Sequence, residues 1–237
     1  MRLLVSVADP SEARAALEGG ADVIDAKQPR RGALGPVRPD VLAAIRQVVG
    51  AARPVSAALG DARDEAAIER AAGVAAGLGV AFVKVGFAGV VTEQRARRLA
   101  TAARRGAGDS GLVLVGYADW RRADSLAPER LVAVAATAAG AGVLLDTAFK
   151  DAPLFALEPP ERVGAWVAAA HAAGLFAGVA GSLSGSDFAT ARALGADLVG
   201  VRGAACVGGR TGLVSAARVA GLRALAHAAR RSLPAFV

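Results

Sequence analysis

The sequence predicts an α/β protein that folds as a single-domain (β/α)8 barrel spanning residues 1–237. Three observations favour this fold. Short apolar segments alternate eight times with amphipathic, alanine-rich segments, which is the pattern of repeated β-α units over a parallel sheet. The length of 237 residues is close to the ~250 residues typical of such barrels. No segment has the composition of a linker, so one domain accounts for the chain, with an open doubly wound sheet as the alternative fold.

Eight strands and eight helices are predicted in alternation. The strands lie near residues 3–9, 21–27, 54–61, 82–87, 112–119, 142–149, 176–183 and 198–206. The helices lie near residues 11–19, 38–50, 63–78, 91–105, 128–140, 159–173, 185–195 and 212–231. Several helical segments end at a glycine, such as Gly50 and Gly174, because glycine readily closes a helix C-terminus. A long connection rich in Gly, Pro and Arg, residues 28–39, follows the second strand, where a barrel carries an active-site loop.

Composition argues against several classes of partner. The net charge is +7, but arginines occur singly or in pairs within helical segments and only 4% of residues are aromatic, so we expect no nucleic-acid partner. Charges interrupt every apolar stretch before the ~18 residues that a membrane span needs. Asp9 and Pro10 interrupt the first apolar run, which predicts no export signal. We therefore expect a cytoplasmic protein with no membrane partner, and the single cysteine excludes a disulfide framework.

Lysine is used sparingly and at selected places. Of the 28 lysine and arginine residues, only Lys27, Lys84 and Lys150 are lysines. Of these two residue types, only lysine can lose its proton near neutral pH and act as an amine nucleophile. The alternative is that codon bias favours arginine and that the three lysines remain by chance. This alternative predicts lysines scattered over exposed helices. Instead, the lysines belong to the second, fourth and sixth predicted strands, and alternate strands of a barrel direct side chains into the same interior layers.

Two aspartates accompany these lysines. Asp25 lies two residues before Lys27, so both side chains share one face of the strand, and Asp146 lies four residues before Lys150. An isolated Asp-x-Lys is more often a structural ion pair, but two such pairs with a third lysine at one barrel mouth favour catalysis. Burial and neighbouring ammonium groups lower the pKa of a lysine, and the free amine attacks carbonyls. The expected catalytic residues are Lys27, Asp25, Lys84, Asp146 and Lys150.

Two glycine-rich segments predict a phosphate site. They follow the seventh and eighth strands, and each is expected to open into a helix. Backbone N–H groups at such a place converge on an anion, and barrels often bind phosphate after these two strands. Ordinary tight turns are the alternative. The expected phosphate-binding residues are Gly181, Ser182, Arg202, Gly203, Gly208, Gly209 and Arg210.

No metal or cofactor site is predicted. His171 and His227 fall in helical segments away from the predicted mouth, and Cys206 has no histidine partner in the pattern, so the ligands of a transition metal are lacking. The aspartates have lysine neighbours, which favours ion pairs over a magnesium ion. The residues therefore predict a metal-free aldolase or lyase that forms a lysine Schiff base with a small phosphorylated aldehyde or ketone.

Seven segments of the chain resemble the (5-formylfuran-3-yl)methyl phosphate synthase family. They are LLVSV (3–7), GGADVIDAKQP with the glycines that follow (19–35), VSAALGD (55–61), FVKVGF (82–87), LLDTAFKD (144–151), AGSL (180–183) and GVRGAAC with the later GGR (200–210). The seven segments together extend over nearly the whole chain. Their DxK, KVG, DTxxKD and VRGA elements occur in order at the predicted strand ends.

The resemblance implies that two molecules of glyceraldehyde 3-phosphate are condensed to a furan carbaldehyde phosphate, with loss of phosphate and water, toward methanofuran-type one-carbon carriers. Such an enzyme is a lyase. The resemblance makes Lys27 the Schiff-base lysine and Asp25 its acid/base neighbour, and it gives Lys84, Asp146 and Lys150 assisting roles in isomerisation, aldol joining and elimination. It also implies a homo-oligomer, which the apolar composition favours.

Two other functions remain open at this stage. Another class I (Schiff-base) aldolase acting on a phosphorylated aldehyde or ketone would use similar residues but release an open-chain product. A non-catalytic barrel that binds a phosphate ligand would tolerate arginine at Lys27, because binding needs only a positive charge.

Overall fold

The computed structural model describes residues 1–228, and within them eight parallel strands close a barrel. The strands are β1 (Arg2–Val7), β2 (Val23–Ala26), β3 (Val55–Asp61), β4 (Phe82–Gly86), β5 (Gly111–Tyr117), β6 (Gly142–Asp146), β7 (Phe176–Val179) and β8 (Leu198–Val201). Each strand pairs with the next in sequence, and β8 pairs with β1 to complete the ring. The predicted (β/α)8 TIM barrel is thereby confirmed, and the open sheet is wrong because β1 and β8 are hydrogen-bonded to each other.

Helices cover the outside of the barrel. They are α1 (Pro10–Glu18), α2 (Pro39–Val49), α3 (Glu65–Gly77), α4 (Glu93–Ala107), α5 (Pro128–Thr137), α6 (Leu154–Leu157), α7 (Pro160–Ala172), α8 (Phe188–Ala193) and α9 (Ala216–His227). Polar caps fix where several of them begin: the side chain of Asp9 accepts hydrogen bonds from the first turn of α1, and Asp64 and Thr92 do the same for α3 and α4. These caps set the path of the loops that leave the C-terminal ends of the strands.

The structure departs from the predicted helices after the last three strands. The short helix α6 was not predicted. The helix expected at 185–195 is a 3-10 turn, Gly185–Asp187, followed by the six residues of α8. The helix expected at 212–231 begins only at Ala216, because an antiparallel hairpin of β9 (Cys206–Val207) and β10 (Leu213–Val214) comes first. Residues 229–231 of that predicted helix lie outside the described residues.

The N-terminal end of the barrel is partly filled by two aromatic rings. Phe82 and Phe176 pack edge to face with ring centroids 5.7 Å apart. Neighbouring glycines leave room for them, since a Cβ on Gly111 or Gly142 would lie 2.6 Å from a ring carbon. The site described below lies at the opposite end, where the strands finish in polar residues.

Candidate active site

The carboxylate of Asp25 is buried inside the barrel and contacts three other polar side chains. Strand register places Asp25 beside Ser6 on β1 and Ser56 on β3. Both hydroxyls donate hydrogen bonds to the carboxylate, at 2.8 and 2.7 Å. The ammonium of Lys84 lies 2.7 Å from Asp25 Oδ2. A fully buried charge is tolerated here because it is paired and hydrogen-bonded.

The partner of Asp25 differs from the expectation. The sequence suggested that Asp25 pairs with Lys27, two residues along the same strand, whereas the structure pairs it with Lys84 from β4. The physical reason is that Lys27 lies one residue past the end of β2, while alternate strands such as β2 and β4 contribute to one interior layer. Burial would raise the pKa of Asp25, but the ammonium groups of Lys84 and Lys27 outweigh burial and hold that pKa below its usual value.

Lys27 has no dedicated counter-ion. Its side chain is buried, with 8% of the residue exposed, and within residues 1–228 its ammonium makes neither a salt bridge nor a hydrogen bond. Burial lowers the pKa of Lys27 to about 8, opposed by Asp146 and Asp25 and assisted by the ammonium groups of Lys84 and Lys150. At pH 7 such a group is a free amine roughly a tenth of the time. Lys27 therefore has the electrostatic properties of an amine nucleophile.

Asp146 and Lys150 form the second acid and base pair, as the sequence predicted. Lys150 Nζ lies 2.7 Å from Asp146 Oδ1 and also donates to the carbonyl oxygen of Thr147 at 2.5 Å. Burial would raise the pKa of Asp146, but Lys150 and Lys27 lower it below its usual value. Asp119, in the loop after β5, stabilises the turn that carries Lys150. Its carboxylate accepts hydrogen bonds from the backbone N–H groups of the two residues before Lys150.

One cavity of about 260 Å³ brings these groups together with the glycine-rich loops. All three lysines and Asp146 line it. Of the expected phosphate-binding residues, those that line it are Gly181, Ser182, Arg202, Gly203 and Arg210. Gly208 and Gly209 lie in the turn of the hairpin between β9 and β10 and are not among the lining residues.

The loops after β7 and β8 offer backbone donors to the cavity. Within the described residues the N–H groups of Ser182, Gly203 and Ala204 donate no hydrogen bond. Gly203 and Ala204 open the 3-10 turn Gly203–Ala205, and Ser182 has a positive φ of 52°. Neither loop leads directly into a long helix, so the expected support from a helix N-terminus is replaced by free N–H groups of tight turns, which also form anion-binding concavities.

The contacts of Arg202 differ from those expected of a phosphate-binding residue. Its guanidinium is buried, and all five of its N–H groups are directed to protein oxygens. We therefore no longer expect Arg202 to donate to a phosphate group. Arg210 has fewer partners: it donates to the carbonyl oxygens of Pro29 and, at 2.7 Å, Gly32 in the loop that follows Lys27.

Several residues that complete the site were not singled out from the sequence. Ser6 and Ser56 are the polar residues inside two otherwise apolar strands, LLVSV and VSAAL, and that interruption is the signal for them. Tyr117, at the end of β5, is fully buried and donates to Asp61 Oδ1 at 2.7 Å. Burial, and then the charge of Asp61, raises the pKa of Tyr117 well above its usual value, so the phenol stays protonated.

A larger cavity of about 480 Å³ opens at the N-terminal end of the barrel. Its walls are mainly apolar, with Leu4, Phe82 and Phe176 among them, and it reaches Lys84. We place the active site in the smaller cavity, since it collects Lys27, Asp146 and Lys150 at the C-terminal ends of the strands, where barrel enzymes act.

Within residues 1–228, no three His, Cys, Asp or Glu side chains are grouped closely enough to hold a metal ion. None of the helices in this part of the chain combines the length and apolar character needed to cross a bilayer.

Comparison with known proteins identifies the family. A family model described as 4-HFC-P synthase matches residues 3–223. The chain is 44% identical over 212 residues to the (5-formylfuran-3-yl)methyl phosphate synthase of Methanopyrus kandleri, with 86% of this chain and 89% of the relative covered. This chain belongs to the (5-formylfuran-3-yl)methyl phosphate synthase family.

Other members of the (5-formylfuran-3-yl)methyl phosphate synthase family agree. The protein of that name from Methanocaldococcus jannaschii is 38% identical over 215 residues, covering 88% of this chain and 92% of the relative. The resemblance noted in the sequence motifs is thereby confirmed.

Solved structures support the fold. A 3-hexulose-6-phosphate synthase superposes with a TM-score of 0.62 at 19% identity, covering 95% of this chain and 99% of that one. Orotidine 5'-phosphate decarboxylase from Pyrococcus horikoshii gives 0.63 at 14% identity, covering 96% and 100%. At these identities the likeness supports the barrel alone.

Proposed function

We propose that this chain is a lyase that condenses two molecules of glyceraldehyde 3-phosphate to (5-formylfuran-3-yl)methyl phosphate through a Schiff base on Lys27, in the biosynthesis of a methanofuran-type carrier. The balance of the reaction is two trioses in, and the furan phosphate, one phosphate and two molecules of water out. The observation that carries the proposal is the buried amine of Lys27, with a pKa of about 8 and no counter-ion of its own among residues 1–228. Membership of a family named for this product supports the product, and the substrate is the one that the resemblance implies.

The first step is attack of the Lys27 amine on the aldehyde carbon of one triose. The C–N bond forms, the carbonyl oxygen leaves as water, and the imine draws electrons from the adjacent carbon. Loss of a proton from that carbon produces an enamine, which forms the carbon–carbon bond to the second triose. Later elimination of phosphate and closure of the ring oxygen, with loss of two further molecules of water, make the furan aromatic. Hydrolysis of the C–N bond then consumes the water released on imine formation, frees the Lys27 amine and leaves the product aldehyde.

The ion pairs Asp146–Lys150 and Asp25–Lys84 are assigned to different steps of the reaction. Asp146 and Lys150 lie at the mouth of the cavity, where Lys150 is partly accessible and can protonate a leaving oxygen. Asp25 holds Lys84 deeper in the barrel, where the ammonium can stabilise an alkoxide formed in the aldol step.

The phosphate group is assigned to the loops after β7 and β8. The free N–H groups of Ser182, Gly203 and Ala204 can each donate to a phosphate oxygen. Arg210 lies at the same end of the cavity and supplies positive charge.

The test combines adduct and product analysis. The protein is incubated with glyceraldehyde 3-phosphate, one portion is reduced with borohydride, and peptides and small molecules are analysed by mass spectrometry. We expect a reduced triose adduct on Lys27 and a furan aldehyde phosphate in the unreduced portion. A Lys27→Arg variant keeps the positive charge but lacks an amine nucleophile, so we expect a folded protein with no adduct and no product.

Each other result has a definite meaning. An adduct on Lys27 with an open-chain product would replace the proposal by another class I aldolase. Neither adduct nor product, with phosphate binding retained in Lys27→Arg, would indicate a non-catalytic binding barrel. Furan formation by Lys27→Arg would show that the Schiff base is not formed on Lys27.

A further inference from the structure

Glu12 is buried on the first turn of α1 although it carries a charge. Only 3% of the residue is exposed. Its carboxylate accepts hydrogen bonds from both terminal nitrogens of Arg202, and Oε2 also accepts the backbone N–H of Ala8 at 2.7 Å. A buried carboxylate is costly unless its charge and lone pairs are satisfied. This one is satisfied by a residue 190 positions away in the chain.

Arg202 distributes its other hydrogen bonds over the loop after β8. Its Nε donates to the carbonyl oxygen of Arg210 at 3.0 Å, and Nη2 donates to that of Gly212 at 2.9 Å. Nη1 also donates to the carbonyl oxygen of Ser6, on β1, at 3.0 Å. The guanidinium therefore fastens the β9–β10 hairpin to the barrel wall at both β1 and α1.

The groups assigned to phosphate binding after β8 are either next to Arg202 in the chain or hydrogen-bonded to it. Gly203 and Ala204, with their free N–H groups, are the next two residues after Arg202. The carbonyl oxygen that Arg202 Nε holds belongs to Arg210 itself, which is one of the residues that line the cavity. Glu12 is not among the residues that line the cavity, so any effect it has on a ligand passes through Arg202.

We propose that Glu12 and Arg202 are positioning residues: their buried ion pair orients the Gly203–Ala204 N–H groups and the Arg210 guanidinium toward the phosphate of the substrate. The inference rests on the proposed function for the location of the phosphate site. Arg202 itself contributes no hydrogen bond to the phosphate, because its five donors are already engaged.

The test uses inorganic phosphate as the probe, so that it does not depend on turnover. Titration calorimetry measures its affinity for the wild-type protein and for Glu12→Gln. Partners of ligand-binding groups typically change affinity by about 10–100-fold when removed, as measured at metal sites, and we expect phosphate affinity to fall at least about tenfold. With glyceraldehyde 3-phosphate, KM should rise by a similar factor while kcat changes by less than about threefold.

A matched control separates positioning from general stability. Asp22 also ties a strand to the last helix, since it accepts the N–H of Leu3 at 2.7 Å and contacts His227, but at the opposite end of the barrel. Asp22→Asn should lower stability without changing phosphate affinity or KM. If Glu12→Gln does not fold, Glu12→Asp keeps the charge and shortens the carboxylate by one methylene, and it should weaken phosphate binding in the same direction.

The outcomes distinguish this inference from the proposed function. Wild-type phosphate affinity in a folded Glu12→Gln or Glu12→Asp would overturn it, as would an equal loss of affinity in Asp22→Asn. No phosphate binding by the wild-type protein would overturn it even if the furan forms. Phosphate binding that depends on Glu12, without furan formation, would support it and defeat the proposed function alone.

Discussion

Replacing Asp146 by asparagine is expected to lower the pKa of Lys27 below its present value of about 8. Burial is the largest influence on that pKa, and Asp146 is the strongest influence opposing burial. The variant removes the carboxylate and also frees the ammonium of Lys150, now 2.7 Å from Asp146 Oδ1. Because the charge of Lys150 already lowers the pKa of Lys27, both changes act in the same direction.

The size of the effect follows from the charges involved. An opposite charge close to an ionisable group shifts its pKa by ~1–3 units, and we take the lower end, since Asp25 remains nearby as a second carboxylate. A shift of about one unit raises the fraction of free amine at pH 7 from roughly a tenth to about half. Turnover should nevertheless fall strongly with a smaller effect on binding, because the carboxylate assigned to proton transfer is gone.

Competitive acetylation measures this pKa directly. Trace acetic anhydride is applied between about pH 6 and 10, and the Lys27 peptide is quantified by mass spectrometry. The chain has only three lysines, so the signals are easily assigned. Asp9→Asn is the control, because Asp9 caps α1 at the same end of the barrel and is not one of the main influences on the pKa of Lys27. A midpoint for Lys27 in Asp146→Asn equal to or above that of the wild type would refute the electrostatic argument.

Two further predictions concern stability. Asp25→Asn should lower the free energy of unfolding by about 3 kcal/mol or more, because Lys84 is then buried without its carboxylate. The variant should also lower kcat by a larger factor than it raises KM. A variant with the urea unfolding curve and the kcat of the wild type would contradict this. The pKa of Lys27 falls from 10.5 to about 8 on folding, so the unfolded chain binds the extra proton between these values. The free energy of unfolding therefore rises with pH across that window. Lys27→Met should be more stable than wild type at pH 7 by up to about 3 kcal/mol, with the difference disappearing toward pH 10.5; a pH-independent difference in urea titrations would contradict this.

The barrel could be predicted because its signal is repeated eight times. Each strand from β1 to β8 overlaps a predicted apolar segment, since strands buried on both faces are mainly apolar. The hairpin of β9 and β10 could not be predicted in this way. Each of its strands has two residues, which is too short to show a periodic pattern.

The clustering of the three lysines with Asp25 and Asp146 was predictable, but their pairing was not. Lysine usage and position on even-numbered strands place Lys27, Lys84 and Lys150 at one cavity, as the structure has them. That Asp25 contacts Lys84 depends on the register of β2, β3 and β4, which a single sequence does not contain. The homo-oligomer and the lack of a cofactor or nucleic-acid partner stay predictions.

Arg202 illustrates a different limit of sequence analysis. An arginine beside a glycine-rich loop has the composition of a phosphate site, and nothing local distinguishes it from an arginine whose donors are already engaged. The deciding partner, Glu12, is 190 positions away. An acidic residue in the first turn of a helix also has an ordinary explanation in the helix dipole, so Glu12 itself gave no signal.

The charge balance of the cavity is the reason for proposing Lys27, rather than another lysine, as the nucleophile. Three ammonium groups share two carboxylates, and each carboxylate lies 2.7 Å from one lysine: Asp25 from Lys84 and Asp146 from Lys150. Lys27 is the lysine without a carboxylate of its own among residues 1–228, so its deprotonation removes one positive charge without breaking an ion pair. The same arrangement keeps both carboxylates ionised. An arginine at position 27 would retain its charge under all these conditions, which is why the proposed Schiff base requires lysine there.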